Sequence, residues 1–151
     1  MEPEQDEKED SMKELIVPAD TDELDRVQDF LHEELEKVDC PMKIMFQIDL
    51  AVEEIFVNIA SYAYHPEDGD AEVRCEVEEN PLRVVIQFLD GGKPFDPLAK
   101  EDADTSEEAT MRREGGLGIL LVKKTMDDVS YTYEGGKNIL TIKKNLEEKD
   151  A

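Results

Sequence analysis

Basic residues are scarce in this chain. Seventeen lysines and arginines stand against 40 acids, a formal net charge of −23 at pH 7 over 151 residues. Nucleic acid and anionic membrane surfaces both need clustered cations, so the charge argues against either as a partner. A small anionic ligand stays open, because N–H groups at a helix start and a bound metal can hold phosphates with few cations. Cysteine is scarce too. Cys40 and Cys75 make neither a disulfide framework nor a cysteine-rich metal site, and with only His32 and His65 beside them zinc lacks ligands. No apolar run approaches the ~20 residues of a membrane span, and the acidic opening MEPEQDEKED is not a signal peptide. Internal repeats are absent. The expectation is a cytoplasmic protein.

What is present suits one compact domain, with 39% hydrophobic residues. Residues 1–11 are expected to form a disordered acidic tail, 12–146 the domain, and 147–151 a short C-terminal tail. MKELIVP reads as a strand stopped by Pro18, and residues 20–38 as an amphipathic helix capped by Asp20 or Thr21. A second helix runs from Met42 to about Tyr64. AEVRCEVEE and LRVVIQFLD are strands, the latter apolar on both faces and so central. A long polar connection follows, of the kind that is a functional lid or disordered. LGILLVKKTMDD is a third helix opened by glycines. VSYTY, the turn EGGKN and ILTIKK close the chain as a hairpin. Strands that succeed one another in hairpins predict a mixed, mainly antiparallel sheet with helices on one face. The fold class is α+β, a two-layer α/β sandwich.

AVEEIFVNIASYAY, residues 51–64, is otherwise core-like but carries two acids and an amide. Glu54 and Asn58 are four apart and share a helix face. An amide oxygen can ligate Mg²⁺, and a carboxylate can deprotonate a hydroxyl or water. A polar stripe at the solvent boundary explains the same spacing. LDGGKPFDP places Asp90 at the end of the central strand, able to accept from an exocyclic amine, and Gly92 where a ligand ring could approach the main chain. An ordinary turn has the same letters. REGGLGILLV puts Gly115, Gly116 and Gly118 before an apolar helix, where free N–H groups could cradle phosphates; a hinge with a helix cap is the alternative. No Gly-Lys-Ser/Thr follows, so this is not a Walker A loop.

Taken in order, Glu54-Ile-Phe-Val-Asn58, Asp90-Gly91-Gly92, a long connection and Gly116-Leu117-Gly118 resemble the N box and two glycine boxes of the GHKL ATPase superfamily. DGGKPFDP and GGLGILLVKKTMDDVSY are most similar to its anti-sigma-factor serine/threonine kinases. The resemblance spans residues 12–145. It implies ATP and Mg²⁺ as cofactors, with Glu54 the general base, Asn58 the metal ligand, Asp90 on the adenine amine, Gly92 beside the adenine, and Gly116 and Gly118 at the phosphates. Thr141 is a further candidate on the adenine side. Some members carry an arginine just before the second glycine box; Arg113 is the candidate here, although Glu114 stands two before Gly116. Pro94 replaces the second glycine of the first box, and Tyr62 and Tyr64 are expected as packing or pocket wall. The implied partners are a small anti-anti-sigma-like protein bearing the target serine, a sigma factor, and a second copy of the chain through the sheet. The alternative function is a nucleotide-gated binding protein with little or no transfer.

Overall fold

The computed structural model describes residues 12–64, 67–99 and 113–147, with side chains from 118 onward in the last segment. The expected tail 1–11 and most of the long connection lie outside the described residues. The described elements are β1 (Met12–Pro18), a 3₁₀ turn (Thr21–Glu23), α1 (Leu24–Glu36), α2 (Met42–Tyr62), β2 (Asp70–Glu78), β3 (Arg83–Asp90), α3 (Arg113–Thr125), β4 (Asp128–Glu134) and β5 (Lys137–Asn145). The five strands form one sheet in the order β1-β2-β3-β5-β4, antiparallel at every pairing.

Local chemistry sets the boundaries. Asp20 caps the first helical turn, its carboxylate accepting the Asp22 N–H at 2.9 Å. The helix expected over 20–38 is therefore a 3₁₀ turn leading into α1. The last hairpin needs only a two-residue loop, since Gly135 and Gly136 both take positive φ, 59° and 79°. Lys137 and Asn138 thus belong to β5 and not to the turn.

Register sorts the sheet into two faces. Leu15, Val73, Phe88, Leu140 and Tyr131 form one row of partners, and Val17, Ala71, Asp90 and Asn138 a neighbouring inward row. These point at the helices. Glu14, Arg74, Gln87, Thr141 and Ser130 form a row on the opposite face. The core lies between the inward rows and the stripes of α1 (Val27, Leu31, Leu35) and α2 (Ile48, Val52, Phe56). Full burial of each such side chain stabilises by about 1.5–3 kcal/mol. β3 is buried on both faces, with Ile86 and Phe88 on one side and Val85 and Leu89 on the other, as expected of the central strand.

α3 departs most from the sequence expectation. It begins at Arg113, so Gly115, Gly116 and Gly118 lie inside the helix and not before it. Glycine in a helix interior costs about 1 kcal/mol relative to alanine, so packing must supply the reason for it.

Candidate functional site

α2 buries Ile55, Phe56 and Ile59 in the core and leaves Glu54 and Asn58 half-buried on its flank. Asn58 lines a cavity of about 460 Å³ between the helices and the inward face of the sheet. Ile55, Ile119 and Leu140 give it apolar walls, and Asp90, Asn138 and Lys93 add polar ones. The size suits a small-molecule ligand. Among the described residues the Asn58 amide has no hydrogen-bond partner, so its oxygen is available to a ligand.

Glu54 lies one turn before Asn58 and meets α3. A Cβ added at Gly118 would collide with the Glu54 Oε1, lie 2.8 Å from its Cδ and 3.1 Å from its Cβ. Gly118 is a glycine because α3 runs directly over this carboxylate. The helix interior thus accepts its propensity cost in exchange for close approach to Glu54.

The turn after β3 forms the other end. Asp90 is 5% exposed, and its Oδ1 accepts the Gly92 N–H at 2.9 Å and the Asn138 Nδ2–H at 3.0 Å. Gly92 is required by contact: an added Cβ would strike the Ala63 carbonyl oxygen and lie 2.6 Å from its carbon. Tyr64 holds the same turn. Its hydroxyl donates to the Asp70 carbonyl at 2.6 Å and accepts the Gly91 N–H at 2.7 Å, while its ring leaves no room for a side chain at Gly69. Burial pushes the Tyr64 hydroxyl above its ordinary pKa; the Gly91 N–H opposes this, and Asp90 and Asp70 add to it. Tyr131 is raised as well, chiefly by burial.

The structure brings Asn58, Asp90 and Asn138 to one cavity, with Gly92 in the turn that carries Asp90 and Glu54 and Gly118 in contact on its flank. It does not bring Thr141. That residue faces the other side of the sheet, where its hydroxyl accepts from Gln87 Nε2 at 3.2 Å. The last strand contributes Asn138 instead. Tyr62 forms pocket wall, as expected, while Tyr64 serves as a clamp. Gly116 falls in the first turn of α3, and the side chain of Arg113 is outside the description. Asn138 and Tyr131 went unnoticed as site residues in the sequence, and Tyr64 was expected only as packing or pocket wall; the signal for Asn138 was an isolated polar residue at an inward position of β5.

A family model of the histidine kinase-like ATPase domain matches residues 17–144. The chain belongs to the histidine kinase-like ATPase family. The serine-protein kinase RsbW of Listeria monocytogenes is 34% identical over 91 residues, 57% of each chain. RsbW of Staphylococcus aureus is 31% identical over 87 residues, 54% of each. The chain therefore aligns with little more than half the length of these relatives. Among solved structures, a histidine kinase domain from a blue-light-activated kinase of Erythrobacter litoralis superposes with a TM-score of 0.53 at 18% identity, covering 86% of this chain and 62% of that one. That likeness shows the fold: a five-stranded antiparallel sheet under helices, shared with histidine-kinase-like ATPases. Among the described residues no helix is long and apolar enough to cross a membrane.

Proposed function

We propose that the chain binds ATP with Mg²⁺ in this cavity and transfers the γ-phosphoryl group to a serine or threonine of a regulatory protein, which it also sequesters. The observation that carries this reading is the juxtaposition of Glu54, packed on Gly118, with an unpartnered Asn58 amide on the cavity wall. Glu54 would take the proton of the incoming hydroxyl. The hydroxyl oxygen then bonds to the γ-phosphorus, the β–γ bridging bond breaks, and ADP leaves. Such transfer is catalysed mainly by positioning and charge neutralisation.

Asp90 and Gly92 would hold the adenine. Asn58 would give one oxygen to Mg²⁺, whose role is to neutralise phosphate charge. Among the described residues no cluster of three or more histidine, cysteine or acidic side chains could hold a metal, so the remaining ligands would be phosphate and water. Gly116, in the first turn of α3, would give its N–H to the phosphates, and Arg113 would stand near the γ-phosphate. The similarity to serine-protein kinases supports a hydroxyl acceptor on a protein. The excess of 40 acids over 17 cations suits a basic partner surface. An anti-anti-sigma-like substrate, a sigma factor, a homodimer through the outer sheet face and a cytoplasmic setting complete the proposal, with 12–146 as the domain.

Calorimetric titration with ATP, with and without Mg²⁺, tests the site. Metal-dependent binding that Asn58→Ala removes is expected; no binding at millimolar ATP overturns the reading. Radiolabelled γ-phosphate then tests transfer to an anti-anti-sigma-like protein. Binding without transfer would leave sequestration alone.

A further inference from the structure

Asn138 uses every hydrogen-bonding position of its amide. Nδ2 donates to Asp90 Oδ1 at 3.0 Å and to the Lys93 carbonyl at 2.9 Å. Oδ1 accepts the Phe95 N–H at 3.0 Å and the Tyr131 hydroxyl. The orientation of the amide is not a free choice. A backbone carbonyl can only accept and a backbone N–H can only donate, so Lys93 and Phe95 turn the NH₂ group toward Asp90. Asp90 Oδ1 therefore receives two protein donors, Asn138 and the Gly92 N–H. Asp90 Oδ2 receives none among the described residues, and Asp90 lines the cavity.

We propose that Asn138 is the positioning residue that sets purine selectivity. By holding Oδ1, it turns Oδ2 to the cavity as a bare acceptor. A 6-amino purine pairs with that oxygen. A 6-keto purine sets acceptor against acceptor at a largely buried carboxylate, a repulsion the 6-amino purine does not meet. This inference rests on the cavity being an ATP site, and adds to it the residue that decides between bases.

ATP and ITP differ at the purine 6-position and serve as the probes. The wild-type chain is expected to prefer ATP by at least ~100-fold in calorimetric titration. Asn138→Leu, of similar size but with no donor, should reduce that preference below ~10-fold by weakening ATP and sparing ITP. Asn138→Asp puts a second carboxyl against Asp90, and two such groups share a proton. Its ATP-to-ITP ratio should then fall as pH drops from about 8 to 5, because a protonated pair can donate to the keto oxygen, while the wild-type ratio stays flat. Melting temperatures identify any variant that fails to fold.

A folded Asn138→Leu that keeps the wild-type ratio, or an Asn138→Asp whose ratio stays flat at the wild-type value, overturns the proposal. A wild-type chain that binds both nucleotides equally overturns it too, but leaves the nucleotide site standing. A wild-type chain that binds neither overturns the site and this inference together.

Discussion

At one end of the cavity, a Cβ on Gly92 would be driven into the carbonyl of Ala63, an atom fixed in the backbone at the end of α2. At the other, a Cβ on Gly118 would meet first the far end of the Glu54 side chain, which can swing away. The two glycines permit close approach for opposite reasons. Around Gly92 nearly every polar group is engaged: Asp90, Asn138, Tyr131 and Tyr64 bind one another and the main chain. Around Gly118 two helices touch, and the amide of Asn58 keeps its hydrogen-bonding capacity in reserve. One end is a satisfied network, and the other keeps a polar amide unspent.

The contrast can be broken by substitution. Glu54→Gln gives the largest expected effect, a loss of transfer of roughly 100- to 10,000-fold with ATP affinity retained, read by phosphorylation kinetics beside calorimetry. A variant that transfers at the wild-type rate would remove Glu54 as the base. Gly92→Ala should cost about 2–3 kcal/mol in urea unfolding, because backbone and not a side-chain tip must give way. Gly118→Ala should do the reverse. Stability should hold or rise by up to about 1 kcal/mol, since alanine is the better helix former. Transfer should still fall by at least ~10-fold because Glu54 is displaced. Equal unfolding costs at the two glycines would erase the contrast.

Two smaller effects sharpen it. Tyr64→Phe removes a clamp on the Asp90 turn and should cost about 1 kcal/mol in unfolding, with ATP affinity falling more than transfer from bound ATP. Cys75, on β2 away from both glycines, is a control. Burial, with Glu34 and Glu76 nearby, pushes its thiol from 9.0 up to about 12. Its folded value is raised, so its contribution to stability is complete below pH 9 and is lost as pH climbs toward 12. Nothing changes at neutral pH. Alkaline unfolding curves of Cys75→Val should show a shallower decline over that window.

Much of this was legible in the letters. Strand and helix order followed from periodicity and turn residues, and Glu54, Asn58 and Asp90 stood out through their spacing together with the resemblance of their motifs to a known family. Two features did not. Asn138 reads as a turn residue, since asparagine is poor in strands, but the two positive-φ glycines close the hairpin unaided and leave it at an inward position. The same parity sends Thr141 to the outer face. The start of α3 was misplaced because three glycines argue against a helix, and only the Glu54 contact, remote in sequence, explains Gly118. Propensity is local; the reason for overriding it was not.

Asp90 and Asn138 are register partners on β3 and β5, yet stand 48 positions apart in the chain. Bringing them together closes the long loop that holds α3 and β4, and that loss of chain entropy precedes any return from the contacts it permits. The pocket therefore cannot be prebuilt by a local hairpin. It comes into being only when this long-range pairing of β3 with β5 forms, which makes competence to bind a late event in the life of each newly made chain.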